Sequence, residues 1–142
     1  MIVVDANLLI YSYDTEAIEH RRSAAWVAEV FSSAEPVGLS WQTISAFLRV
    51  VTNRRLPGKR VSLQQAVGAV EEWLEQPNVR ILVPGENHWS LLKRMILEGG
   101  ASGPLVTDAR LAALAIEYGG VLYTADRDFA RFPGLRWLNP LG

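Results

Sequence analysis

The chain has 142 residues, of which 49% are hydrophobic and 20% charged, with a formal net charge of -1. That length suits a single domain able to bury roughly two-thirds of its unfolded surface, and the charge excludes a strongly basic nucleic-acid binder while permitting a local basic patch. The absence of cysteine excludes disulfides and thiolate metal sites.

The opening MIVVDANLLIYSYD lacks a basic leader, and Asp5 and Asn7 interrupt its apolar run. Nothing approaches the ~18 uninterrupted apolar residues of a membrane span. A compact cytoplasmic domain with no membrane contact is therefore expected. In chain order, the β-branched IVV at 2–4 reads as a strand covered on both faces. Over 16–31, Ala24, Val27, Ala28 and Phe31 recur at helical spacing. EPVGLS at 35–40 reads as a second strand, with Ser40 capping a helix over 41–53 whose apolar stripe is Ile44, Phe47, Leu48 and Val51. RRLPGKR, 54–60, is a basic turn broken by Pro57 and Gly58.

Ser62 caps the next helix, which ends at Pro77, and VRILV at 79–83 is the third strand. The segment 86–100 is a helix closed by glycines. TDARLAALAIEYGG, 107–120, is the clearest helix, opened by Thr107 or Asp108. VLYTA and LRWLN supply the last two strands. Strands alternating with helices predict an α/β domain spanning 1–142 with a mainly parallel sheet. In such folds ligands sit outside the carboxyl ends of the strands, where connections diverge.

That rule singles out Asp5, at the end of the first strand, Asp126, just past the VLYTA strand, and Asp108, at the start of the late helix, with Asp128 close behind. Each has an ordinary reading: Asp5 and Asp108 as helix caps, Asp126 and Asp128 as turn residues. Gathered at one end of one sheet, the carboxylates repel, and some stay protonated unless a cation holds them. Oxygen-only donors suit Mg2+ or Mn2+, which activate water and neutralise charge on a phosphodiester. Glu117 lies nine residues after Asp108, about 180° around the helix, and is read as solvated or paired with a neighbour.

The segments VVDANLLIY, FLRVVTNRRL and VTDARLAALAIEYGGVLYTADRDFARFPGLRWLNPL resemble PIN-domain proteins, in particular VapC-like toxins of type II toxin–antitoxin modules. The likeness runs from one terminus to the other. It implies a three-layer α/β/α domain with a central five-stranded sheet. It also implies a Mg2+- or Mn2+-dependent endoribonuclease, commonly a homodimer, held inactive by a VapB-like antitoxin. By position Asp5, Asp108 and Asp126 match the family's metal-binding aspartates and Asp128 an additional acid near the metals. Asn7 and Thr124 match polar residues that orient those carboxylates.

One departure stands out: the family commonly has a glutamate where SAFLRV places Ala46, so a second metal is held less firmly. Arg49, one turn on, is then a candidate substrate contact, as are Arg54 and Arg55 with Lys59 and Arg60 on the basic turn, and Arg127 between two acids. A charge run is also simply a solvated turn. His20 and His88 fall in helices away from the acids, which favours attack by water over attack by a ribose hydroxyl; any of the acids can take the proton, Asp128 among them. Two rival readings remain. A phosphoaspartate protein needs an acid two residues after Asp5 or a well-placed lysine, whereas position 7 is asparagine and the lysines are Lys59 and Lys93. A PIN-like RNA-binding scaffold, its cleavage lost with the glutamate, is the other.

Overall fold

A computed structural model describes residues 1–53 and 61–142. The strands are β1 (Ile2–Val4), β2 (Val37–Leu39), β3 (Val79–Ile81), β4 (Val121–Tyr123) and β5 (Trp137–Leu138). The helices are α1 (Ala6–Tyr11), α2 (His20–Phe31), α3 (Trp41–Val51), α4 (Leu63–Glu75), α5 (His88–Gly99) and α6 (Leu105–Glu117), and a 3₁₀ turn covers Arg127–Arg131.

The sheet has the order β3-β2-β1-β4-β5, and every pairing is parallel, so the mixed character allowed by the sequence is absent. The central strand β1, short, β-branched and without a polar residue, needs cover on both sides. Val3 and Val4 show how it is supplied: pointing to opposite faces, they enter different cores. Val4 joins Leu8, Phe31, Phe47 and Trp73 under α1–α4. Val3 joins Met95, Leu122 and the α6 residues Ala109, Ala112 and Ala113. Small α6 side chains let that helix lie close to the sheet and to α5. The outcome is the three-layer α/β/α arrangement.

Local signals explain most element ends. Ser40 accepts from the Thr43 amide at 3.0 Å. Ser62 and Gln65 form a reciprocal capping box. Gly100, at φ 61°, ends α5 in the left-handed conformation, which favours glycine. Trp73 packs its ring 4.8 Å from that of Phe47, and Trp26 stacks on Tyr123 at 5.5 Å, so both serve packing, as their helical positions suggest. Among the described residues no helix is long and apolar enough to cross a membrane.

Two boundaries differ from expectation. A short helix, α1, occupies 6–11, and the second helix begins at His20 rather than near 16. Helix α6 opens at Leu105, after Pro104 at φ -59°, so neither Thr107 nor Asp108 caps it. Proline's fixed φ is already helical and its missing N–H is no loss at a helix start, so the chain turns helical earlier.

Candidate active site

β1 pairs with β2 on one side and β4 on the other. The chain leaves β1 toward β2 and later returns to its opposite flank as β4, which makes the β1/β4 boundary the topological switch point of the sheet. Asp5 follows β1 directly and Asp126 lies three residues beyond β4. Parallel pairing thus brings together side chains more than a hundred residues apart.

Thr124 is fully buried and organises the crevice. Its hydroxyl donates to Asp5 Oδ2 at 2.7 Å and accepts from the Asp126 amide at 3.0 Å. Asn7 Nδ2 donates to the same hydroxyl oxygen at 3.3 Å, while Asn7 Oδ1 accepts from the Ala125 amide at 3.4 Å. Asp5 Oδ1 accepts from the Ala6 amide at 2.7 Å, and Asp126 Oδ1 from the Asp128 amide at 2.9 Å. Asp5 thus caps α1 as its ordinary reading has it, and Asp126, read as a turn residue, makes the local bond of such a residue to the Asp128 amide; each bond engages one oxygen while leaving acceptor capacity on the carboxylate.

Asp108 differs. It lies inside the first turn of α6 and caps nothing. Burial lifts its carboxyl to about 6, and the charges of Asp126, Asp5 and Asp128 add to the rise; only Arg131 pulls it back. Burial likewise raises Asp5, against the Thr124 hydroxyl and the Ala6 amide, with Asp126 contributing to the increase. At Asp108 the three neighbouring acids add to the effect of burial, and Arg131 offsets them in part. Arg131, which also donates to the Gly99 carbonyl at 3.2 Å, escaped the sequence reading; it stands three residues beyond Asp128, as the one-turn spacing of a 3₁₀ helix requires.

The other anticipated residues fare unequally. Arg127 is exposed at the start of the 3₁₀ turn, beside the acids. Arg49 is exposed in the last turn of α3, roughly 12 Å of helix axis beyond the start of that helix at the strand ends, and no hydrogen bond or ion pair joins it to the acids. Ala46 is half-buried on the same helix. Arg54, Arg55, Lys59 and Arg60 lie outside the described residues. Glu117 pairs with a neighbour, accepting from the Gly85 amide at 2.7 Å with His88 Nδ1 at 3.2 Å.

Among the described residues no three His, Asp or Glu side chains stand close enough to form a ready-made metal cage. The donor set nevertheless fits a hard divalent cation of the hydrated kind, which takes one or two carboxylates and fills its remaining positions with water and phosphate.

A family profile described as the PIN domain matches residues 2–135. The chain belongs to the PIN-domain family. It is 37% identical over 141 residues to "Ribonuclease VapC33" of Mycobacterium tuberculosis, covering 99% of both chains. Among solved structures, VapBC-1 from nontypeable Haemophilus influenzae superposes with a TM-score of 0.68 at 20% identity, covering 100% of both chains. Mycobacterium tuberculosis VapC20, described as a Sarcin-Ricin loop cleaving toxin, superposes at 0.67 with 20% identity, covering 96% of this chain and 99% of that one. The fold is thus shared with these VapC structures.

Proposed function

We propose that this PIN domain is a VapC-like toxin: an endoribonuclease acting on RNA phosphodiester bonds, dependent on Mg2+ or Mn2+, and restrained by a VapB-like antitoxin. The observation that carries the reading is the convergence of Asp5, Asp108 and Asp126 at the β1/β4 switch point, the first and third bridged by the Thr124 hydroxyl. Full-length identity to a VapC ribonuclease supports the reaction class, and solved VapBC complexes of the same fold support the antitoxin.

Asp5, Asp108 and Asp126 would hold the cation, which when bound supplies charge neutralisation at the scissile phosphate and a more acidic water. Thr124 and Asn7 keep Asp5 and the Asp126 loop in register. Any of the acids could accept the proton of the attacking water, Asp128, exposed at the rim, among them. Arg127 and Arg131 supply the positive charge that lets an RNA strand approach an acidic crevice. Two exposed apolar stripes offer faces for protein partners, either an antitoxin or a second copy: Leu63, Val67 and Leu74 on α4, and Trp89 with Leu97 on α5.

Ala46 and the lack, among the described residues, of a preformed three-ligand cage favour a second reading, an RNA-binding scaffold without cleavage. Purified protein incubated with total RNA and Mn2+, with EDTA and Asp108→Asn controls, separates the two. Metal-dependent cuts lost in the variant establish the nuclease. RNA retained without any cuts establishes the scaffold.

A further inference from the structure

A cleft of about 290 Å³ opens beside the acids, between the α1–α2 connection and the last residues of the chain; its walls include Tyr11, Ile18, Glu19, Arg22, Ala125 and Asn139. It adjoins the catalytic crevice, for Ala125 lies between Thr124 and Asp126. The Tyr11 phenol registers the same proximity: burial raises it most, followed by the charges of Glu19, Asp126 and Asp5.

The lining is chemically uneven in a useful way. Tyr11 and Ile18 are apolar walls, and Ile18 is 97% exposed, so a flat ring laid there covers surface that otherwise stays in water. Arg22 is tethered by its Nη1 donating to the Leu141 carbonyl at 2.7 Å. Asn139 Oδ1 is engaged by the Leu141 amide at 3.0 Å, which leaves the NH2 group as a donor. Glu19, at the head of α2, makes no side-chain cap hydrogen bond and has no ion pair among the described residues. A half-buried carboxylate with free acceptor capacity and an amide donor thus line the same cleft.

We propose that this cleft is a base pocket for a guanine of the RNA strand next to the cleaved phosphate, with Glu19 as the residue that reads it. Resting on the ribonuclease reading above, it assigns that site a substrate preference. Of the four bases, guanine alone presents two adjacent donors, N1–H and the N2 amino group, on its pairing edge. A carboxylate accepts both at once. The neighbouring O6 is an acceptor and meets the Asn139 NH2. Uracil offers one donor flanked by acceptors; adenine and cytosine each offer an amino group beside an acceptor nitrogen that would face the carboxylate. Single-stranded RNA is read in this manner, by flanking side chains against the ring and hydrogen bonds to the exposed edge.

The test measures binding apart from cutting. Asp108→Asn protein, alone and combined with Glu19→Gln, is titrated with a short pyrimidine RNA carrying one central guanine, and with the same strand carrying inosine, which lacks the 2-amino group. The single variant is expected to prefer guanine by about 10-fold, and the double variant to lose that preference. Equal affinity for the two strands, or a preference that survives Glu19→Gln, overturns the pocket. Cut mapping with the unaltered protein reports on the ribonuclease separately. Cuts without any guanine preference sink the pocket alone, and a Glu19-dependent preference without cuts sinks the nuclease alone. Because Glu19 makes no cap bond, circular dichroism of Glu19→Gln should match the parent.

Discussion

Helix α6 carries a carboxylate at each end, and the two live in opposite circumstances. Glu117, in the last turn, is answered on both oxygens, one by the Gly85 amide and the other by the His88 ring. Asp108, in the first turn, is pushed to about 6 by burial and then by the charges of three other acids. The helix dipole works against this distribution, because it favours negative charge at the amino end. Crowding and burial therefore outweigh the dipole at Asp108. Glu117 is thus satisfied by protein partners, whereas Asp108 is not; under the reading proposed above, Asp108 would take a cation.

Breaking the contrast at its charged end has the largest effect. Asp108→Asn should lower metal-dependent RNA cleavage roughly 100-fold or more, measured as initial rate on a labelled strand, because a ligand replacement should exceed the loss seen on removing a supporting partner. The same variant should retain its fold and not lose stability at neutral pH. Supplying the missing charge sharpens the contrast instead. Mg2+ or Mn2+ at a hundred times its dissociation constant should stabilise the parent by about 2.7 kcal/mol in a thermal melt, with the gain much reduced in Asp108→Asn. No metal-dependent shift in the parent would contradict the role given to these acids.

Thr124→Val tests the bridge between Asp5 and Asp126. With the hydroxyl gone, both Asp5 Oδ2 and the Asp126 amide lose a partner, and activity should drop about 10-fold through misplacement. Proton linkage gives a smaller effect. The folded-state pKa of Asp108 stands above its ordinary value of 3.8, so the folded chain binds that proton more tightly than the unfolded chain does. The stabilisation is complete below about 4 and fades as pH rises through about 6. Discounted for the screening of a half-exposed group, it amounts to about 1 kcal/mol. Metal-free protein should therefore melt higher near pH 5 than near pH 7.5, and Asp108→Asn should flatten that slope. Burial of Asp5 acts in the same direction. At the other end of α6, Glu117→Gln should cost about 1 kcal/mol in denaturant unfolding and leave cleavage unchanged. A comparable loss of activity there would erase the distinction between the two carboxylates.

The elements themselves were legible where local chemistry is self-contained. Ser40 and Ser62 cap as their spacing implies, Gly100 stops α5, and the alternation of strands with helices announced the parallel sheet. The extent of helix α1 was not legible, although Asp5 could be read as its cap, because six residues carry too little periodicity to separate from a loop. The start of α6 was misjudged because Thr107 and Asp108 look like better caps than Pro104.

For the site, sequence determined which side chains were available: acids placed after strands, no cysteine, and alanine at position 46. It also placed Asp5 and Asp126 at strand ends, since that depends on neighbours in the chain. What tertiary structure alone decided is how those acids divide their duties. Asp5 and Asp126 give part of their capacity to local backbone amides, Thr124 joins them, and Asp108, free of capping, is raised by burial and by its acidic neighbours with only Arg131 to lower it. Hydrogen bonds between residues 5 and 124 depend on which strands lie side by side, and desolvation depends on everything packed around a group. Neither quantity has a local sequence signature, because both are set by parts of the chain that meet only on folding.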